Sequence, residues 1–396
     1  MGLKRASRAR HGAWHARAAA GLLLAMVVCA PARSQQPGSA DVPVVAAGAH
    51  HTCALSGSGS VFCWGANGAG QAGEPAAGAA APHVIAGLQL AAIVSGGEHT
   101  CGLDTAGVAW CWGSNEYGQL GDGRSASSHS PRRVVGGLRF ASITAGGAHT
   151  CALTEHDRRA FCWGDQWDRA AGTFPAGENL REPLPVRGSI SFLLLSAGGH
   201  HTCGIATTGG LFCWGDNSAG QVRPDRRDRS FYRPEPLPVE SAVFTAVATG
   251  SAHSCALATD GRVYCWGSNE HGQLGSSADN AQARSGWVAT EFRFAGIAAG
   301  GDHSCGLTTS SQIVCWGAEP VPAAVAVRRA ETARALRLAA APGLDQEFAQ
   351  VTSGVAHDCA ASKAGEIWCW GDDRLLQLGV PGRGNGEPVQ VVLPGR

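Results

Sequence analysis

One pattern, G-x-x-H-x-C followed by a short turn and then C-W-G, occurs seven times in this chain of 396 residues. The first cysteines of the first and last copies, Cys53 and Cys359, are six repeats apart, which gives a mean period of 51 residues. A repeat of this length that is rich in glycine and tryptophan indicates a propeller or another repeat array. Seven copies therefore predict seven blades.

A single repeat contains four candidate strands. In the third copy these are Pro131 to Val135, Phe140 to Ala145, His149 to Leu153 and Ala160 to Trp163, separated by glycine-rich punctuation. Four short strands per period are typical of a propeller blade. The sequence predicts an all-β, seven-bladed β-propeller of four-stranded antiparallel blades over residues 43–396, with repeat motifs near 46–73, 94–121, 144–172, 196–222, 248–275, 298–318 and 352–379.

The two ends of the repeat region look complementary. The first copy begins at Pro43-Val44-Val45 and lacks the proline-led strand that precedes the other copies, whereas Pro388 to Val392 supplies such a strand at the C-terminus. This arrangement predicts a ring closed by pairing of the N- and C-terminal strands, which would remove exposed sheet edges. Helical spacing and alanine-rich composition also predict a short helix from Arg328 to Ala340.

The N-terminus has the three-part pattern of a secretory leader. Basic residues come first, an apolar run from Ala18 to Ala30 follows, and Ala30-Pro31-Ala32 forms a small-x-small site. The pattern predicts a signal peptide at 1–34, a short linker at 35–42, and a secreted, periplasmic or cell-envelope protein. Val28 precedes Cys29 where lipoprotein signals have a small residue, which argues against a lipoprotein. No segment is long and apolar enough to predict a transmembrane helix.

The net charge of the chain without its leader bears on whether it can bind nucleic acid. The leader holds six of the 31 basic residues, so the remainder has 25 basic residues against 31 acidic ones. A mildly acidic surface repels phosphate backbones, so the sequence predicts no nucleic-acid partner.

The cysteines outside the leader form an even set of two per repeat. In a two-stranded hairpin the members of each pair would stand opposite each other, and an exported chain would oxidise them. The sequence predicts seven disulfides within blades: Cys53–Cys63, Cys101–Cys111, Cys151–Cys162, Cys203–Cys213, Cys255–Cys265, Cys305–Cys315 and Cys359–Cys369.

Each repeat also carries a histidine, which raises the question of metal binding. These residues are His51, His99, His149, His201, His253, His303 and His357. Zinc prefers four ligands with free thiolates, whereas paired cysteines are not thiolates. Recurrence in every copy favours a structural histidine between blades, so the sequence predicts no metal and no cofactor. The sequence has no P-loop, no H-E-x-x-H and no G-x-S-x-G, so no catalytic residue is predicted.

The repeats resemble a known family. Gly250 to Leu257, followed by Gly261 to Gly275, is similar to the regulator of chromosome condensation repeat. The resemblance implies a seven-bladed β-propeller. The leader and paired cysteines suggest an exported, bacterial-type member. The family's eukaryotic founder is an exchange factor for a small GTPase and binds chromatin, and other members include parts of ubiquitin ligases and secreted inhibitors. The sixth copy departs from the family pattern because it lacks the G-Q-L-G that follows the C-W-G in the second and fifth copies.

The segments after each C-W-G vary between copies, and variable loops on a rigid scaffold commonly carry binding. Aromatic and arginine residues there are candidate interface anchors: Tyr117, Trp167, Arg226, Arg229, Tyr232 and Trp287. The alternative is that these side chains only pack their own loops. The sequence favours an exported, monomeric, non-enzymatic module that binds another protein as an inhibitor, adhesin-like module or scaffold. A hydrolase or lyase with its site at the central channel remains open, as does a GTPase exchange factor.

Overall fold

The computed structural model describes residues 42–73, 79–166, 170, 172, 178–224, 232–238, 243–276, 285–318, 339–340, 346–381 and 387–395. Seven separate antiparallel sheets, each of four strands, make up this part of the chain. The predicted all-β, seven-bladed propeller is confirmed.

The first strands of neighbouring sheets contact one another around a central channel. They are β1 (Val44–Ala47), β5 (Ala92–Ser95), β9 (Phe140–Ala145), β13 (Phe192–Ala197), β17 (Phe244–Thr249), β21 (Phe294–Ala299) and β25 (Phe348–Ser353). Each second strand begins at the repeat histidine: β2 (His51–Leu55), β6 (His99–Leu103), β10 (His149–Thr154), β14 (His201–Ala206), β18 (His253–Ala258), β22 (His303–Thr308) and β26 (His357–Ser362).

The third strands carry C-W-G, and the fourth strands form the outer edges. The third strands are β3 (Ser60–Gly65), β7 (Ala109–Gly113), β11 (Ala160–Gly164), β15 (Leu211–Asp216), β19 (Val263–Gly267), β23 (Ile313–Gly317) and β27 (Ile367–Gly371). The fourth are β4 (Ala79–Gln89), β8 (Ser128–Arg133), β12 (Leu180–Pro185), β16 (Tyr232–Pro238), β20 (Ser285–Trp287), β24 (Ala339–Ala340) and β28 (Val389–Val391). The outer strand thus ranges from two residues to eleven.

The hairpin between the second and third strands sets the position of the cysteines. In the third blade Cys151 stands directly opposite Cys162, and the extra residue of this copy lies in the turn, where Arg158 has a φ of 57°. All seven predicted disulfides are present, with Cα–Cα distances of 4.0–4.1 Å. The spacing on a hairpin was therefore sufficient to pair them correctly.

The core lies between blades. The seven C-W-G tryptophans are at most 2 % exposed, and the apolar clusters that contain them draw side chains from adjacent sheets. Trp163, for example, belongs to the third blade but lies so close to Gly121 of the second that a Cβ there would collide with its ring. Burial of large side chains at each boundary holds one blade against the next.

The predicted strand composition of a blade and the predicted ring closure were wrong. The proline-containing strand Ser128–Arg133 pairs with β7 of the second blade, not with the third blade that follows it. Likewise β28 pairs with β27, and β1 pairs with β2, so the first and last blades are each built from one continuous stretch. After C-W-G the chain turns back along the outer edge of its own hairpin, which is the nearest unpaired edge.

The ring closes by packing and side-chain hydrogen bonds. β1 contacts β25 and β26 of the last blade. The side-chain amide of Gln350 makes two hydrogen bonds with the backbone of Val45. Its Oε1 accepts from the Val45 N–H at 3.1 Å, and its Nε2 donates to the Val45 carbonyl at 2.8 Å. The side chain of Gln350 thus connects the last blade to the first, where a shared strand was expected to connect them.

Two further expectations concern the sixth loop and membrane spanning. Most of the predicted helix, residues 328–338, lies outside the described residues, and Ala339–Ala340 is a strand instead. The described part of the chain has no helix of the length and apolar character needed to cross a bilayer.

Candidate functional site

One face of the ring carries both the channel mouth and the variable loops. The corner between the first and second strands and the loop between the third and fourth strands emerge at the same end of every blade, because successive strands are antiparallel. We call this end the loop face. The hairpin turns between second and third strands lie at the opposite end.

The channel mouth on the loop face is a shallow cavity of about 100 Å³, lined by three corner residues from each blade. Its lining consists of glycine, alanine, serine and threonine with a single valine, Val355. No ionisable side chain belongs to this described lining. The backbone also follows the sevenfold symmetry: in six of the seven corners an N–H donates to a carbonyl of the next blade, as from Ala49 to Gly96 at 3.0 Å.

Behind the mouth, the seven repeat histidines form a ring of hydrogen bonds between blades. Each Nε2 lies 2.8–2.9 Å from a side-chain oxygen on the second strand of the next blade: Thr100, Thr150, Thr202, Ser254, Ser304, Asp358 and Thr52. The bond from His357 to Thr52 closes the ring. A Cβ on any glycine three residues before these histidines would collide with the imidazole, which explains that glycine in every copy.

The hydroxyls fix the histidine tautomer. Thr52, Thr100, Thr150, Ser254 and Ser304 donate to a glutamine carbonyl of the preceding blade at 2.8–3.0 Å, so each must accept the histidine proton. The histidines therefore carry hydrogen on Nε2. Burial lowers the pKa of His51, His149 and His253 to about 3, and that of His99, His201 and His357 to about 4. They are neutral structural groups, as the sequence indicated.

The loop after C-W-G begins with a rigid turn in five blades. An Asn, or Asp in the seventh blade, accepts from the backbone N–H five residues later, as from Leu120 to Asn115 at 3.0 Å. The glutamine of the turn accepts through Oε1 from the N–H two residues earlier, as from Tyr117 to Gln119 at 2.9 Å. Both side chains are used internally, so the turn geometry is independent of the residues at its tip.

The tip of each turn displays two residues whose identity changes from blade to blade. The pairs are Gly68-Ala69, Glu116-Tyr117, Ser218-Ala219, Glu270-His271 and Arg374-Leu375. Tyr117 is 42 % exposed and Leu375 is 45 % exposed, which is high for large apolar side chains. A constant framework with variable tips is an arrangement suited to recognition.

The predicted binding residues fall into three groups: two on the loop face, one near the opposite face, and three outside the described residues. Tyr117 lies on the loop face, at the tip of the second-blade turn. The backbone of Tyr232 begins β16 beside Asp216, at the loop-face end of the fourth blade. Trp167, Arg226 and Arg229 lie outside the described residues.

Trp287 lies away from this group. It pairs with Tyr264, the second residue of the strand that leaves the hairpin turn, so it stands near the opposite face. Its ring packs edge-on against Tyr264 with centroids 5.3 Å apart, and the Arg262 guanidinium lies 4.2 Å from the centroid. These contacts fit the alternative in which the side chain packs its own blade.

Sequence reasoning missed His271 and Leu375. Aligning the five turns on the Asn or Asp and the Gln would have found them, because the two positions after the Asn or Asp then stand out as the ones that vary. Aromatic and arginine residues are enriched at interfaces, so their type alone suggests a binding role. A leucine in a loop carries no such indication in the sequence.

Comparison with known families agrees with this geometry. Two protein-family models, both described as the regulator of chromosome condensation (RCC1) repeat, match this chain. The first matches residues 44–71, 91–119, 194–221 and 244–273. The second matches residues 106–153 and 260–307. The chain carries RCC1 repeats. The predicted resemblance is thereby confirmed at the level of the repeat.

The curated relatives share part of this propeller. RUG3, a mitochondrial RCC1 domain-containing protein of Arabidopsis thaliana, is 29 % identical over 231 residues, or 56 % of this chain and 40 % of the relative. The secretion-regulating guanine nucleotide exchange factor of Mus musculus is 30 % identical over 31 % of this chain and 29 % of its own length. The chain spans less than half the length of these relatives.

Solved structures confirm the fold. Yeast RCC1 (Prp20), crystallised with Kap60, has a TM-score of 0.72 at 20 % identity, covering 85 % of this chain and 84 % of that one. Human WBSCR16 also gives 0.72 at 20 % identity, covering 85 % of this chain and 94 % of that one. At this identity the likeness establishes the RCC1-repeat propeller and nothing more specific.

Proposed function

We propose that this protein is an exported, non-enzymatic module that binds another protein through its loop face. The observation that carries the proposal is the set of rigid turns, which hold variable pairs of residues at one end of the ring. An inhibitor, an adhesin-like module and a scaffold would all use such a surface. Yeast RCC1 (Prp20), which shares this fold, was crystallised bound to Kap60.

The channel mouth favours binding over catalysis. An enzyme of this fold would need carboxylates or histidines converging at one mouth without repeat symmetry. The described mouth on the loop face is lined by small side chains, three from each blade. The seven histidines behind it are buried and bonded to the next blade. An exchange-factor role rests only on relatives that share part of the chain.

Export is supported by the leader pattern at 1–34 and by the seven cysteine pairs. Disulfides persist in oxidising compartments and are rare in the cytosol. N-terminal sequencing of protein recovered from the envelope or medium tests this part. We expect a mature N-terminus near Arg33 to Gln35, and an intact Met1 on protein in the cytoplasm would contradict export.

The loop face can be tested even though the partner is unidentified. We would replace Tyr117, His271 and Leu375 together by alanine and compare this variant with wild type in quantitative cross-linking to the native cell envelope. Anchors of this kind typically contribute about 2 kcal/mol each, so specific partners should be lost. The melting temperature should not change, because the turns are held by the Asn and Gln side chains.

The control variant carries Leu193→Ser and Val243→Ser. These apolar side chains are 50 % and 56 % exposed at the opposite end of the blades, and their loss should leave capture unchanged. Equal capture by the loop-face variant, or loss only in the control variant, would place the binding surface elsewhere.

A further inference from the structure

The boundary between the sixth and seventh blades differs chemically from the other six. At the other boundaries the residue after the repeat histidine is Thr or Ser. In the seventh blade it is Asp358, and the preceding sixth copy lacks the turn glutamine whose carbonyl accepts the hydroxyl proton at five other boundaries. The donor and its acceptor are therefore both replaced at the same boundary.

Asp358 brings a carboxylate into a buried set of metal-binding groups. Its Oδ1 lies 2.9 Å from His303 Nε2 and 3.7 Å from Cys305 Sγ, and the ligand atoms of all three residues lie within 4.8 Å of one another. The side chains of His303 and Asp358 are 1 % and 0 % exposed. Within the described part of the chain, Asp358 Oδ2 is buried without a hydrogen-bond partner.

We infer that the reduced protein holds one zinc ion at this boundary, on His303 Nε2, an Asp358 carboxylate oxygen and the thiolates of Cys305 and Cys315. Zinc sites of this ligand number are tetrahedral, and bond lengths of about 2.0–2.3 Å place ligand atoms about 3.3–3.7 Å apart. The 3.7 Å between sulfur and oxygen already matches, and the 2.9 Å between nitrogen and oxygen needs to open only slightly. Cys315 stands opposite Cys305 in the strand register, with a Cα–Cα distance of 4.0 Å.

In the oxidised protein the two sulfurs are bonded to each other and the site is closed to zinc. A dithiol reductant opens it: the Cys305–Cys315 bond takes up two electrons and two protons, and the reductant becomes a disulfide. Zinc then displaces the two thiol protons to solvent. His303 is neutral as a ligand and Asp358 is anionic, so the bound ion leaves the site with one net negative charge.

The other six boundaries serve as internal controls, because they have the histidine and the cysteine pair without the carboxylate. Their hydroxyl is a neutral, weak ligand. At five of them its proton is directed at a glutamine carbonyl, as from Ser304 to Gln273 at 3.0 Å. Binding should therefore be limited to one ion per chain, although the chain has seven cysteine pairs.

The first test titrates Co²⁺ into the full chain after reduction with a phosphine, which does not compete for the metal. We expect one equivalent to bind with thiolate-to-cobalt absorption in the near ultraviolet, and Zn²⁺ to displace it. Asp358→Thr, which restores the residue type of the other boundaries, should weaken binding at least 100-fold. Asp302→Asn alters an exposed acid nearby and should bind as wild type does. The oxidised protein should bind no cobalt.

A second readout is the protection of thiols from alkylation, mapped by peptide mass. Zinc should protect Cys305 and Cys315 and leave Cys255 and Cys265 of the fifth blade reactive. Equal cobalt binding by Asp358→Thr, or protection spread evenly over the seven pairs, would overturn the inference. A reduced chain that stays unfolded when one equivalent of zinc is supplied would overturn it as well.

Discussion

In six of the seven copies the residue after the repeat histidine has a hydroxyl that acts as both acceptor and donor at a blade boundary. Thr150 accepts from His99 Nε2 at 2.9 Å and donates to the Gln119 carbonyl at 2.9 Å, and both partners belong to the preceding blade. The same carbonyl accepts from the indole of Trp163 at 2.9 Å. One carbonyl and one hydroxyl thus link the histidine, the tryptophan and the turn at this boundary, and the equivalent carbonyl accepts from Trp64, Trp266 and Trp316 at three others.

Replacing Thr150 by valine keeps its shape and removes both hydrogen bonds. His99 Nε2–H is then buried without a partner, and an unsatisfied buried donor costs about 1–3 kcal/mol. We expect the free energy of unfolding to fall by that amount in urea titrations. Thr150→Ser is the matched control, because serine occupies this position at two other boundaries and keeps the hydroxyl. If the valine and serine variants were equally stable, the hydrogen bonds would not contribute.

At the level of the strand, the cysteine pair holds the second and third strands together. Replacing Cys101 and Cys111 by alanine removes a bridge that closes a short loop, and we expect a loss of about 2–3 kcal/mol in unfolding free energy.

Intact mass before and after reduction should show two hydrogens gained per bridge for all seven bridges in wild type. Fourteen free thiols in exported protein would contradict the paired state.

The C-terminal strand should matter through its side chains. Val389, Val391 and Leu393 are buried in one cluster with Val45, Phe62 and Trp64 of the first blade. Deleting residues 387–396 should therefore destabilise ring closure by on the order of 5 kcal/mol, from three apolar side chains. Thermal melts measure this effect. A triple alanine variant at the same positions keeps the backbone strand, and it should lose most of that stability; full stability would assign the role to strand pairing.

The repeat spacing was sufficient to predict the number of blades, the hairpin and the disulfides, because those depend on residues close in sequence. The repeat spacing did not predict the pairing of the outer strand. The proline-containing segment lies between two hairpins, and its sequence does not show with which of the two hairpins it pairs. The exposed tips were missed for another reason. The exposure of His271 and Leu375 depends on the turn that holds them, and that turn depends on hydrogen bonds that side-chain oxygens such as those of Asn269 and Gln377 accept from the backbone.

For the whole molecule, the histidine ring makes stability depend on pH. Six of these histidines have folded pKa values of about 3 or 4, whereas the unfolded value is about 6.5. Below pH 6.5 only the unfolded chain takes up these protons. Stability is therefore complete above that pH and falls progressively as the pH drops towards 4. Each histidine should cost about 1.4 kcal/mol at pH 5.5, so the six together should cost on the order of 8 kcal/mol.

Urea midpoints at pH 7.5, 6.5 and 5.5 measure this dependence. His201→Gln should reduce the slope by about one proton. His156→Gln, at an exposed position in a hairpin turn away from the ring, is the control for the substitution itself. A slope between pH 5 and 6 of fewer than about two protons would contradict the neutral, buried ring.

Because each sheet is one unbroken stretch of chain, the boundary between the last and first blades divides no sheet, and neither does any other boundary. A gene that linked the last sheet to the first and opened the chain between any other pair of blades would still encode seven complete sheets. The same property lets such a gene gain or lose a whole blade by duplication or deletion without changing the register of any strand. Circular permutation is thus available to this propeller as a route to new arrangements of its loop tips.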